Sequence, residues 1–168
     1  MTKHDDFTTT ITVDQPPEAV FAAITNVRAW WTGAITGPTD KLGAEFTYRY
    51  KDRHYSRHQV TELVPGERVA WAVLDSDLPF ADRHEWNGTH ITFDIATNGN
   101  KTEVRFTHAG LQPSRACYGD CSNAWTWLVG TNLRSLITTG KREAEAAAIE
   151  TIAPPADKRK KDGLQPKC

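Results

Sequence analysis

The residues of this chain best suited to chemistry are three strand histidines, two neighbouring cysteines and six tryptophans. His108 continues the alternation of Val104 and Phe106 and is expected to point inward from a strand. His90 is out of phase with Ile91 and should point out, while His58 shares a face with Val60. An inward imidazole titrates near neutrality and could give or take a proton. Far more often such a ring belongs to the core, with its nitrogens hydrogen-bonded. Cys117 and Cys121, four apart, join His108 as three soft ligands of the kind zinc takes. Their spacing is not that of a C-x2-C knuckle and no fourth ligand is evident, so no metal site is assigned. A disulfide between them would be strained by helical geometry. Buried thiols acting as small hydrophobes are the expected state. No catalytic residue is assigned and no cofactor is implied.

Trp30, Trp31, Trp71, Trp86, Trp125 and Trp127 are many for a chain of 168 residues. Aromatic side chains dominate core burial in any protein. They also line apolar pockets that bind small molecules around a few polar groups. The expected ligand-binding set is Trp30, Trp31, Phe46, Tyr48, Trp71, Trp86, Phe93, Phe106, His108, Trp125, Leu128 and Asn132. Within it, Trp71, Phe93, Phe106, His108, Trp125, Leu128 and Asn132 are expected to enclose a largely apolar pocket. Asn132 falls on the apolar face of a helix, where a buried amide needs partners. These come either from a ligand or from a strand residue or buried water. Trp127 lies about 200° around that helix from Trp125. It is expected to be half-exposed, covered by the loop around Pro113 or by a second copy of the chain, which makes a homodimer a candidate assembly.

The elements that must position these residues follow from their periodicity. Phe7–Val13 alternates as a half-buried strand. Pro16 and Pro17 suit the first turn of a helix, where a missing N–H costs nothing, and Val20, Phe21 and Ile24 share its apolar face. A short second helix is expected over Asn26–Trp31. Strands follow at Glu45–Tyr50, His54–Val64 and Arg68–Leu74, the last two joined by the turn signal Pro65-Gly66. The connection Asp75–Thr89 is too long for a tight hairpin and reads as a lid carrying Phe80 or as a pinned surface excursion. Ile91, Phe93 and Ile95 alternate into the turn Asn98-Gly99-Asn100, and Val104, Phe106 and His108 alternate out of it. A last helix opens near Asp120, a good N-cap. Cys121, Trp125, Leu128, Val129, Asn132, Leu133 and Leu136 face inward from it. The order is strand, two short helices, antiparallel strands, long helix: an α+β domain over residues 7–140.

Hydrophobic residues are 39% of the chain and charged residues 24%, a composition that builds one packed domain. The net charge of -1 gives no bias toward nucleic acid or anionic lipid. No apolar run approaches the roughly 18 residues of a membrane span, so membrane insertion is not expected. The N-terminal MTKHDDFTTTITV lacks the apolar stretch of a secretory signal, and a cytoplasmic location is the expectation. Residues 141–168 form a C-terminal extension. Its end gathers Lys158, Arg159, Lys160, Lys161 and Lys167 with Pro154, Pro155 and Pro166, and disorder is expected after about residue 153.

The words VFAAITNVRAWW, GAEFTYRY, VTELVPGERVAW, EWNGTHITFDI, TEVRFTHAGL and CYGDCSNAWTWLVGTNLRSLITTGK, in this order, resemble the START-like or Bet v 1-like (SRPBCC) superfamily. The nearer resemblance is to bacterial proteins related to the C-terminal domain of the activator of Hsp90 ATPase. It implies a helix-grip fold, a curved antiparallel sheet wrapped around a long C-terminal helix. The chain departs from the pattern after ITTGK, where Arg142-Glu143 replace a glycine and a proline. The resemblance implies no catalytic residues. The expected function is binding of a small apolar or amphipathic molecule between sheet and helix. The alternatives are a polyketide-cyclase-like enzyme, with His108, Asn132 or Tyr48 moving protons, and a chaperone-associated cofactor acting through the outer face of the sheet.

Overall fold

The computed structural model describes residues 6–51, 54–78, 83–114 and 118–140. The expectations for Phe80, for Cys117 and for residues 141–168 lie outside them. Seven strands form one antiparallel sheet in the order β1-β7-β6-β5-β4-β3-β2. They are β1 (Phe7–Val13), β2 (Ala34–Thr36), β3 (Glu45–Tyr50), β4 (His54–Val64), β5 (Arg68–Asp77), β6 (His90–Asn98) and β7 (Lys101–Ala109). Helix α1 (Pro17–Thr25) and a 3-10 turn (Val27–Ala29) follow β1. A continuous helical run, Tyr118 to Thr139, closes the domain. The architecture is the expected α+β helix-grip fold.

The alternation in sequence decides which face of the sheet is buried. Phe46, Tyr48 and Tyr50 of β3, His58 and Val60 of β4, Val69, Trp71 and Val73 of β5, Ile91, Phe93 and Ile95 of β6, and Val104, Phe106 and His108 of β7 all face the core. The register carries this from strand to strand, with Trp71 opposite Ile91 and Phe93 opposite Phe106. Two shifts in the β4–β5 pairing, between Arg57 and His58 and between Val60 and Glu62, insert an unpaired residue each. Bulges of this kind bend a sheet and increase its twist, which lets the sheet curve around a helix.

Four details differ from the sequence reading. β5 continues to Asp77, because Asp75, Ser76 and Asp77 pair with Arg57, Ser56 and Tyr55. The connection to β6 is shorter for it, and Leu78 N–H bonds Arg83 C=O at 2.8 Å across its base. β2 pairs with β3 as a three-residue edge strand between Gly33 and Gly37, both at φ +102. The last helix is already formed at Tyr118, so Asp120 lies in its first turn rather than capping it, where its charge still suits the helix dipole.

The fourth difference is internal to that helix. It runs as α2 (Tyr118–Trp127), then a π-helical segment (Leu128–Leu133), then α3 (Arg134–Thr139). The π segment presents Leu128, Val129, Asn132 and Leu133 to the core. Such segments are rare, and where they occur they often mark functional sites. Gly140 ends the run in the left-handed conformation, its N–H bonding Leu136 C=O.

Candidate functional site

The 3-10 turn Val27–Ala29 lies between helix α1 and strand β2. Its end is fixed by bonds from the N–H groups of Trp30 and Trp31 to Val27 C=O, at 3.1 and 2.8 Å. Both indoles then turn into the interior. Trp30 anchors itself by donating its Nε1–H to Ile24 C=O at 3.2 Å. Asn132, from the π segment, donates its Nδ2–H to Trp30 C=O at 2.8 Å. The helix that the sheet grips is thus tied to the segment that delivers Trp30 and Trp31. The sequence reading expected a ligand, a strand residue or a buried water as the partner of Asn132; the partner here is a backbone carbonyl outside the strands.

All twelve residues expected to bind a ligand are buried, and all but the polar His108 and Asn132 belong to one hydrophobic cluster. Trp31 is its hub. Its ring lies 4.2 Å from Tyr48, 5.1 Å from Trp125, 5.4 Å from His58 and 6.0 Å from Trp71, centroid to centroid. Phe46 and Phe93 pack against Trp71 at 5.1 and 5.2 Å, and Phe106 against Trp125 at 4.6 Å. Trp86 closes the other side, 4.8 Å from His108 and 5.8 Å from Trp125. These are ring-contact distances, so the side chains expected to enclose a pocket pack on one another. A surface groove at the turn end of the β4–β5 hairpin, bordered by Pro17, Val64, Arg68 and Ile95, includes none of the twelve.

The polar groups within this aromatic cluster divide into two kinds. His108 is fully engaged. The Nε1–H of Trp125 donates to its Nδ1 at 3.1 Å, so Nδ1 must be the acceptor nitrogen. The proton of the neutral ring then sits on Nε2, which donates to Thr89 Oγ1 at 2.8 Å. Thr89 in turn donates to Trp86 C=O at 2.6 Å. The relay holds His108 in one tautomer and fixes Trp125 and Trp86 around it. His108 is therefore the core histidine with both nitrogens bonded, the commoner of the two expected states. Thr89 was not singled out in the sequence, because nothing local connects it to a histidine nineteen residues on.

The second kind is incompletely bonded. His58, fully buried, shares a hydrogen bond of 2.8 Å between its Nε2 and Ser56 Oγ. Its Nδ1 has no partner among the described residues, and neither do Trp71 Nε1, Trp86 Nε1 or Thr32 Oγ1. Burial holds the His58 pKa well below the ordinary histidine value, with smaller contributions from His54 and His108, so the ring is neutral. His90 is exposed, as its phase required, and Cys121 is buried. Trp127 is half-buried and packs against the rim of the core. No helix among the described residues is long and apolar enough to cross a membrane.

A curved sheet gripping a C-terminal helix, with an aromatic interior between them, defines a protein of the SRPBCC class, a ligand-binding type of scaffold. Residues 14–138 match the model of the family described as activator of Hsp90 ATPase homolog 1-like protein, and the chain belongs to that family. Its fold is similar to the solution structure of the Aha1 dimer from Colwellia psychrerythraea, at 26% identity and a TM-score of 0.66, covering 81% of this chain and 98% of that one. It is also similar in fold to DynU16, a protein of the dynemicin biosynthetic locus, at 19% identity and a TM-score of 0.60, covering 82% of this chain and 49% of that one. A protein from Staphylococcus saprophyticus is similar in fold at 18% identity and a TM-score of 0.61, covering 84% of this chain and 97% of that one. No curated protein matches the chain.

Proposed function

We propose that the chain is a cytoplasmic binding protein that holds a small apolar or amphipathic molecule between the sheet and the C-terminal helix, among the twelve buried residues named above. One observation carries this reading. The interior contains several polar atoms, Trp71 Nε1, Trp86 Nε1 and His58 Nδ1, that are buried without a hydrogen-bond partner among the described residues. Leaving such a group unsatisfied costs about 1–3 kcal/mol each. A core evolved only for packing would use phenylalanine or leucine there. The π segment, of a kind frequent at functional sites, lies against the same interior.

The competing readings have less support. His108, the group best placed to move a proton, has both ring nitrogens committed, which favours binding over a cyclase-like reaction. The outward positions of β6 and β7 are mostly polar, among them Thr92, Asp94, Glu103, Arg105 and Thr107, which offers a chaperone no large apolar strip there. Self-association is compatible with binding. It draws on the half-buried Trp127 and on the dimer formed by the Colwellia Aha1 protein. Native mass spectrometry of the protein purified from its own host tests the reading. A discrete adduct of a few hundred daltons that disappears on unfolding is the expected result. Only bare chain, whether monomer or dimer, in every preparation would refute it.

A further inference from the structure

We infer that the groove at the turn end of the β4–β5 hairpin is a docking surface for a basic segment of the same chain, Lys158–Lys161. The inference is independent of what the interior holds. The groove has a volume of about 580 Å3, and Pro17, Val64 and Ile95 line it together with Glu67, Arg68 and Asp94. Glu18 stands beside it, its Oε2 3.7 Å from where a Cβ on Gly66 would lie. Arg68 is the one cation among the described residues that line the groove, and it is already bonded to both Glu62 and Asp94. Glu18 and Glu67 take part in no ion pair among the described residues. Four carboxylates, Glu18, Glu62, Glu67 and Asp94, against one guanidinium leave a net charge of -3 at this place.

This mixture of apolar and acidic lining suits lysine and arginine, which lay their methylene stems on apolar surface while the charged head reaches a carboxylate. Val64, 41% exposed, offers such a surface. Lys158, Arg159, Lys160 and Lys161 are four consecutive cations, enough to answer the local excess of negative charge. The course of the last helix favours a segment of this chain as the occupant. α3 packs against α1 and β1. Asp14, just after β1, bonds Lys101 at the start of β7, beside the turn out of β6. That bond is the main reason its carboxyl is held below the usual carboxylate range, and the charge of Arg134 adds to it. Arg134 opens α3, so this helix lies at the sheet end that carries the β6–β7 turn. Ile95, Ala96 and Thr97 bring β6 into the groove at the same end. Lys158 comes 18 residues after Gly140. A chain of that length reaches up to about 60 Å, several times the radius of gyration of a domain this size, about 14 Å.

Carbodiimide cross-linking of the full chain, which joins a lysine amine directly to a carboxylate in contact with it, tests this when read by peptide mass spectrometry. An equal mixture of ordinary and 15N-labelled chain separates links within one molecule from links between two. Asp40 and Glu45, exposed and outside the groove, serve as reference carboxylates. At low salt, links from Lys158, Lys160 or Lys161 should fall on Glu18 and Glu67 about tenfold more often than on the references, as two or three surface ion pairs imply. They should join residues of one isotope only. The preference should collapse toward one when the salt is raised from about 10 mM to about 1 M, which shortens the Debye length from about 30 to about 3 Å. Links spread evenly over Asp40, Glu45, Glu18 and Glu67 would overturn the inference, as would the absence of any link from this segment. A preference that survives high salt would show mere proximity and also overturn it. Links only between chains of different isotope would assign the groove to a second copy instead. Glu67→Gln, a change at an exposed side chain, should lower the yield of links to Glu18 severalfold, and an unchanged yield would equally refute docking.

Discussion

Replacing His58 with phenylalanine should remove a defined part of the protein's acid sensitivity. His58 is fully buried, its ring stacks on Phe46 at 5.0 Å and 18°, and its pKa is held well below the ordinary value of 6.5, chiefly by burial. The native state therefore keeps this ring neutral while the unfolded chain protonates it at about pH 6.5 and below. Below that pH the unfolded state binds more protons, so stability falls as the pH falls. The contribution of His58 is complete above about pH 6.5 and is lost progressively as the pH approaches its depressed native pKa. With at most one proton at stake and a slope of about 1.36 kcal/mol per pH unit, the loss between pH 7.5 and pH 5.5 is on the order of 1 kcal/mol. Urea unfolding followed by tryptophan fluorescence across that range measures it, since midpoints shift with stability at constant slope. His58→Phe keeps the stacked ring but strands Ser56 Oγ, so its stability at pH 7.5 should drop. What matters is the difference between the two pH values, which should shrink in the variant, by on the order of 1 kcal/mol. The same pH dependence in both proteins would show that His58 is protonated or solvated in the native state, against the buried geometry described here.

Three further outcomes are expected. Asn132→Ala breaks the bond to Trp30 C=O and leaves that buried carbonyl without this donor, so it should lower the unfolding free energy by about 1–3 kcal/mol; a thermal midpoint equal to that of the wild type would contradict the tie. Gly37→Ala puts a Cβ 2.6 Å from Glu45 C=O at a φ of +102 and should cost about 2 kcal/mol or more, read by denaturant unfolding, whereas Gly99→Ala, whose Cβ meets nothing, should cost less. Trp127→Ala should weaken self-association about thirtyfold if that residue is an interface anchor worth about 2 kcal/mol. An unchanged sedimentation profile over a wide concentration range would confine Trp127 to packing within the monomer.

The strands whose buried faces alternate strictly were legible in the sequence. Phe7–Val13, Glu45–Tyr50 and His54–Val64 carry the same bounds in the structure, because one residue of slip would turn each apolar set to solvent. β2 was not legible, since three residues between two glycines carry no periodicity and pair only through their backbone. The end of β5 was hidden for a similar reason: Asp75, Ser76 and Asp77 read as loop, yet they complete the ladder with β4. The π segment was invisible because Trp125, Leu128, Val129, Asn132 and Leu133 face inward under either helical period. The phase of His108 announced its inward direction. Its partners, Thr89 and Trp125, come from distant parts of the chain and only the fold brings them together.

The six tryptophan side chains allow a direct test of the interior site, by comparing the indole 1H–15N resonances of the protein as purified from its host with those after unfolding and refolding in ligand-free buffer. Trp30 and Trp125 donate within the protein and serve as internal references. The account predicts that the Trp71 and Trp86 indole protons move upfield when the bound molecule is removed, as they lose its acceptors, while those of Trp30 and Trp125 shift far less. Six resonances at identical positions in the two samples, from a protein shown to refold fully, would contradict it.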